Sequence, residues 1–307
     1  MSGTWIETAR ETLLHGRGHA AGWGYRPGTA PCVEPTVLAC LGLLATGPDR
    51  RAGQAVAEVR GPADWLAASQ RRDGSLGVSA ALPTPGWATS YGVLLWGTLD
   101  GYAAPRQRAA RWLLGRGGVP VPNLAPPGRI VGHDTSLVGW PWVDDTHSWL
   151  EPTAVTVLAL RRDGKADHPR VGAGLRLIRD RAIAAGGWNY GNNRLFGRDL
   201  RPQPAPTGLA LLALAGVDGR TELVERAIRY LHGALPETRA AQSLCWGVLG
   251  LRAWGCCPEA AGGWLEGACE QALRREDLAP RSAHLLLAAG GRSLELLGLT
   301  PDRGGPT

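Results

Sequence analysis

The sequence predicts an all-α fold: one closed (α/α)6 barrel, a toroid of six outer and six inner helices. Three observations predict it. Six stretches of about three turns each are apolar on every side, starting near residues 36, 89, 153, 207, 243 and 282. Six amphipathic stretches alternate with them, at 5–15, 62–70, 105–115, 169–184, 220–233 and 262–275. A Gly-Trp element followed by a Pro-Thr element recurs ahead of the apolar stretches. A helix that is apolar all round is buried all round. An open stack would leave one face of the apolar set wet, and closing the ring removes that face.

Taken in order, the first amphipathic stretch leads through Gly22-Trp23-Gly24-Tyr25 into Glu34-Pro35-Thr36 and the apolar run to Leu44. The second ends in Ala63-Asp64-Trp65-Leu66-Ala67-Ala68-Ser69-Gln70 and leads to Gly86-Trp87-Ala88-Thr89, which is aligned here as the equivalent Gly-Trp element. The third shows helical spacing at Ala109, Trp112 and Leu113, and precedes Gly139-Trp140-Pro141-Trp142 and Glu151-Pro152-Thr153. The fourth precedes Gly187-Trp188-Asn189-Tyr190 and Ala205-Pro206-Thr207. Gln242-Ser243 and Arg281-Ser282 open the last two apolar helices. Pro35, Pro152 and Pro206 suit the first helical turn, where a missing N–H costs nothing. No domain boundary is visible, so the barrel is expected over 1–300, with a flexible tail at 301–307. Loops 117–150 and 186–204 are long enough to be expected to carry function.

The net charge of +6 comes almost wholly from Arg, with a single Lys at Lys165, and it is scattered. Nucleic-acid binding needs a concentrated basic face, so no nucleic-acid partner is expected. Arg in place of Lys, with abundant Ala, Gly and Pro, is a habit of GC-rich bacterial genomes. The first 25 residues carry Glu7, Arg10, Glu11, His15 and Arg17 rather than a basic-then-apolar leader. No run of 18 apolar residues occurs. The expected address is cytoplasmic, with peripheral membrane contact and a partner subunit left open. The cysteines Cys32, Cys40, Cys245, Cys256, Cys257 and Cys269 form no C-x-x-C pair and are expected as reduced thiols, with no metal and no cofactor. Aromatic usage is lopsided: 13 Trp against 5 Tyr and the single Phe196, so Trp does work that Phe normally shares in a core.

The run ending in Gln70, followed by Gly74-Ser75-Leu76, resembles the QW-type repeat of squalene and hopene cyclases, with Leu76 in place of the final Trp. The Gly-Trp and Pro-Thr elements are similar to the wider prenyltransferase and squalene-oxidase repeat family. The resemblance covers most of the chain. It implies the toroid shared by terpenoid cyclases and protein prenyltransferase β subunits. Class II cyclases carry Asp-x-Asp-Asp-Thr-Ala at an inner-helix mouth, and its middle Asp protonates the substrate. Two registers are available. Val143-Asp144-Asp145-Thr146 keeps Asp-Asp-Thr, with Trp142 at the first Asp. Leu150-Glu151-Pro152-Thr153-Ala154 puts Glu151 at the acid and Trp149 at the first Asp. Prenyltransferase β subunits hold zinc through Asp-x-Cys and a later His. Cys245 and His284 fall on the last two inner helices, but Ser243 stands where that Asp belongs.

Residue chemistry favours the first register. Asp144 and Asp145 are adjacent carboxylates among Trp140, Trp142, His147 and Trp149. A like-charged neighbour raises one carboxyl pKa, and Trp faces attract a cation. Glu151 is duplicated by Glu34 in a matching Glu-Pro-Thr, which reads as a helix start signal, and the helix dipole there favours the charged form. The expected acid is therefore Asp144, tuned by Asp145, Glu151 and His147. The expected cavity lies at the inner-helix N-termini and holds an apolar small molecule. Its expected lining is Glu34, Trp23, Trp87, Trp140, Trp142, Trp149, Trp188, Tyr190, Thr207 and Trp246. The function this implies is a terpenoid-cyclase-like or isoprenoid-binding protein. Two alternatives stay open. One is a non-catalytic binding toroid; the other is a carbohydrate-active barrel using Glu151 and Asp144 as acid and base, with Asn189, Asn192 and Asn193 gripping sugar. His133 reads as an exposed loop residue and His284 as a satisfied core histidine.

Overall fold

The computed structural model describes residues 3–17, 20–47, 52–123, 130–217 and 219–299. The expected tail at 301–307 lies outside them. Along the chain run α1 (Gly3–Arg17), α2 (Val33–Thr46), α3 (Ala52–Ser69), α4 (Ala88–Trp96), α5 (Ala103–Leu114), α6 (Leu150–Arg162) and α7 (Pro169–Asp180). A two-residue hairpin, β1 (Arg194–Leu195) with β2 (Arg198–Asp199), sits in the following loop. Then come α8 (Pro204–Leu214), α9 (Glu222–Ala234), α10 (Ala241–Ala253), α11 (Ala261–Arg274), α12 (Ala279–Ala289) and the short α13 (Ser293–Leu296).

The even-numbered helices form the inner ring. Each packs on the next, α2 to α4, α6, α8, α10 and α12, and α12 returns to α2. The odd-numbered helices α1 to α11 lean on their inner neighbours from outside. Every residue of α4 is buried, as are ten of the eleven in α8, whereas α9 buries only Val224, Ala227, Ile228 and Leu231. That contrast is the alternation of apolar and amphipathic stretches written in space. The tightest seam is α8 on α10, where Gly208 and Gly250 face each other: a Cβ on Gly250 would stand 2.8 Å from the Cα of Gly208, and one on Gly208 would overlap the Trp246 carbonyl.

One outer helix is longer than its sequence pattern. The second amphipathic stretch is visible only over 62–70, yet α3 begins at Ala52, with Pro62 inside it. Proline lacks the N–H that would bond the carbonyl four residues earlier. That carbonyl, on Glu58, accepts instead from the Arg17 guanidinium at 3.1 Å.

The repeated Gly-Trp and Pro-Thr elements join outer to inner helices. Thr36 Oγ1 accepts from the Trp23 amide at 2.9 Å and donates to the Trp23 carbonyl at 3.1 Å. Thr153 does the same for Trp140, Thr207 for Trp188, and Thr89 for Leu76. Each indole N–H in turn reaches a carbonyl near the end of an outer helix: Trp23 to Leu13, Trp140 to Leu113 and Trp188 to Ile178. The residue before each Trp is glycine because a Cβ there would run into the Thr hydroxyl, at 2.5 Å for Gly22 and 2.8 Å for Gly187. The repeat aligned on Trp87 is therefore out of register. Its true partner for Thr89 is Leu76, which buries an aliphatic side chain where the other three bury Trp.

The opposite end of the ring is closed by arginines on free helix-end carbonyls. Arg161 of α6 donates to the carbonyls of Ala213 and Ala215, Arg162 to Gly97, Arg252 of α10 to Ala288 and Gly290, and Arg10 to Leu43. A guanidinium supplies donors and a positive charge where the helix dipole is negative.

Candidate active site

The inner-helix N-termini meet at the other end, around a cavity of about 360 Å³. Four inner helices line it with their second residue, Glu34 in α2, Glu151 in α6, Gln242 in α10 and Pro280 in α12, and Trp87 at the cap of α4 joins them. One turn deeper, Leu38 and His284 line the same cavity. Residues four apart share a helix face, which is why Glu34 with Leu38 and Pro280 with His284 appear as pairs. Trp23, Tyr25 and Trp142 complete the mouth. The aromatic wall is interlocked: Trp87 meets Trp142 edge-on at 5.0 Å and Tyr91 edge-on at 5.6 Å.

Two carboxyls face this space, and their surroundings differ. Glu34 accepts from the hydroxyl of Tyr25 at 2.7 Å and of Tyr91 at 3.3 Å. Burial raises its pKa, and the two donated hydrogen bonds pull it back. Glu151 is buried, and its carboxyl has no hydrogen-bond partner among the described residues. Burial first, and the charge of Glu34 second, push it up to about 7. Donors stabilise the anion and desolvation stabilises the acid. Of the two, Glu34, with its two donors, is the better placed to carry the charge, and Glu151 the better placed to hold the proton. Tyr25 and Tyr91 are themselves held neutral, raised by burial and by Glu34, so they remain donors.

The remaining expected site residues fall elsewhere. Asp144 lines a separate small crevice with Trp112, Trp140 and Trp87, where Arg116 pairs with it at 3.6 Å. Asp145 is exposed with a left-handed backbone, φ 64°, and Thr146 Oγ1 donates to the Val143 carbonyl at 2.7 Å. The Asp-Asp-Thr segment is thus a surface turn, which corrects its expected place in the cavity. His147 is exposed and stacks on half-buried Trp149, which packs over Gly191 outside the cavity lining. Trp140, Trp188 and Thr207 are buried in the joints described above rather than lining the cavity. Trp246 is buried behind His284. Tyr190 is outside the cavity lining, half its surface exposed, its pKa raised by burial and then by Glu151. Glu34, Trp23, Trp87, Trp142 and Glu151 do line the cavity. His133, expected on the surface, is buried.

His284 was not legible as a site residue. Its Nε2 is sealed from solvent without a partner, and Trp246 packs edge-on against its ring at 6.5 Å. Burial lowers its pKa to about 4, so the imidazole is neutral. The signal that points to it is positional: it lies four residues after the second residue of its helix, on the face that carries Pro280.

Comparison with solved structures finds this closed helical ring in other proteins, at low sequence identity. Type II terpene cyclase MstE from Scytonema, in complex with geranylgeranyl dihydroxybenzoate, superimposes with a TM-score of 0.60 at 14% identity, covering 96% of this chain and 97% of that one. The same enzyme in complex with merosterolic acid A gives 0.57 at 18% identity, over 88% of this chain and 80% of that one. A protein from Actinoplanes gives 0.55 at 18% identity, over 89% and 80%. No family model matches the sequence, and no curated protein matches it. The chain has the terpenoid-cyclase-like toroid.

Proposed function

We propose that this protein cyclises a linear isoprenoid by protonating one of its double bonds, with Glu151 as the acid. The observation that carries the reading is the division of labour between two carboxyls in one apolar cavity. Alkene protonation needs an acid that keeps its proton at neutral pH, and Glu151 is buried, without a donor, and beside the charge of Glu34. Glu34, fixed by Tyr25 and Tyr91, supplies the negative field that a carbocation feels. The faces of Trp87 and Trp142 add cation–π attraction at the cavity wall. This moves the acid from Asp144, whose partner is a partly exposed arginine, to the second of the two sequence registers.

Cavity size bounds the substrate. At about 30 Å³ per water- or methylene-sized group, 360 Å³ holds about 12 of them. Isoprenoids of about ten to fifteen carbons fit that space. The binding of isoprenoid substrate and product by the terpene cyclases of the same fold supports the class of ligand. A carbohydrate hydrolase reading loses its acid–base pair, because Glu151 and Asp144 open onto different cavities.

The test is incubation with a set of linear isoprenoid alcohols, followed by mass spectrometry for cyclic isomers. Glu151→Gln is expected to abolish conversion while Asp144→Asn retains most of it. The reverse pattern returns the acid to Asp144.

A further inference from the structure

The half-buried imidazole of His284 has no structural employment. Neither ring nitrogen makes a hydrogen bond among the described residues, and the ring lines the cavity wall. A buried polar group left unpaired is costly, and an apolar side chain of similar size would pack there without that cost. Its place in the ring is specific. The inner helices follow in the order α2, α4, α6, α8, α10, α12, closing on α2. In a ring of six, α12 stands opposite α6, so His284 faces Glu151 across the cavity and sits one turn, about 5.4 Å, deeper than the N-terminal layer.

We infer that His284 is the proton acceptor that ends the reaction, taking a proton from the cyclised cation at the wall opposite the acid. This rests on the reading of Glu151 as the acid. The proton ledger balances without a co-reactant. The Glu151 hydroxyl gives its proton to one alkene carbon, and the π pair becomes the new C–H bond. That leaves a carboxylate and a carbocation. Ring closure moves the positive centre along the chain, away from Glu151 and across the cavity. The imidazole lone pair then takes a proton from the carbon next to the cation, and that C–H pair becomes the new double bond. The product is an isomer of the substrate.

The site also resets itself. Imidazolium at about 4 returns its proton to carboxylate at about 7 spontaneously, either directly or through water admitted when product leaves. A cavity holding the opposite order would stall with the proton on the histidine. Trp246, edge-on to the ring, holds the imidazole plane without offering a competing hydrogen-bond acceptor.

The decisive probe is a stable stand-in for the cation. Dimethyldodecylamine is protonated at neutral pH and carries an N–H that a base can accept; 1-dodecanol has the same chain without the charge. Calorimetric titration of wild-type protein and of His284→Leu with both compounds separates chain binding from proton acceptance. The expected result is that the wild type prefers the amine, that His284→Leu loses about tenfold of that preference, equivalent to about 1.4 kcal/mol, and that alcohol binding changes less than twofold. His284→Asn, whose Oδ1 stands near the position of Nδ1 and accepts but takes no proton, is expected to keep the amine preference and lose turnover. The melting temperature of His284→Leu is expected to hold or rise, which a merely structural histidine would not allow. An unchanged amine preference in His284→Leu overturns the inference, and so does a fall in melting temperature in both variants. Neither probe requires turnover, so an absence of cyclisation in wild-type protein refutes the cyclase reading separately.

Discussion

At the scale of single residues, the cavity holds two ionisable groups shifted in opposite senses. Glu151 rises from 4.5 to about 7, so between those values the folded protein keeps a proton that the unfolded chain has lost. Its contribution to stability is present at low pH and falls as pH rises through that window, by about 3 kcal/mol in all. His284 falls from 6.5 to about 4, so the unfolded chain binds the extra proton there and stability is lost as pH drops through that window. Between about 4.5 and 6.5 the two slopes oppose each other. Denaturant titrations across pH are therefore expected to show a slope rising with pH in Glu151→Gln and one falling with pH in His284→Leu. Parallel curves in wild type and both variants would show that neither group is shifted. The sequence displayed Glu151 and Glu34 but masked their meaning. Their shared Glu-Pro-Thr reads as a structural signal, and half of that reading holds: the Thr is structural, bonded to its Trp, while the Glu one residue before the Pro faces the cavity. Asp144 drew attention through its neighbours in sequence, yet the turn at Asp145 directs it toward Arg116.

At the scale of elements, the first four inner helices, α2, α4, α6 and α8, are each tied to the preceding loop by one Thr hydroxyl working as both donor and acceptor. Thr153→Val keeps shape and removes both bonds to Trp140, leaving its buried amide unpaired while its carbonyl keeps the bond from the Trp149 amide. A loss of about 1–3 kcal/mol in unfolding free energy is expected. Gly208→Ala is expected to cost more, because its Cβ meets backbone of α10 and not a movable side chain. Thermal melts check both; a Gly208→Ala protein as stable as the wild type would mean that the α8–α10 seam is looser than described. Twelve of the helices were legible as an alternation of apolar and amphipathic runs. The half of α3 before Pro62 was not, because Gly61-Pro62 looks like a break, and the Arg17 bond that repairs it comes from another helix. The second repeat was misaligned for a similar reason: Leu76 does the job of a Trp, and Trp87 was free to line the cavity.

At the scale of the whole molecule, one end of the ring is sealed by arginines on helix carbonyls and the other gathers helix N-termini around an aromatic-walled chamber. Closure of the ring is what sets the chamber's size. Ala283 of α12 lines it, and Ala283→Leu adds three carbons to its wall, about 90 Å³ at about 30 Å³ each. The longest isoprenoid alcohol that binds is expected to shorten by about one five-carbon unit, read by calorimetry across a chain-length series. The central claim, that Glu151 delivers its proton to carbon, is tested most directly by running the reaction in deuterium oxide and counting deuterium in the cyclic isomer by mass spectrometry. The account predicts one deuterium per product molecule in the wild type and no product from Glu151→Gln. Labelled product from Glu151→Gln at the wild-type rate would contradict it.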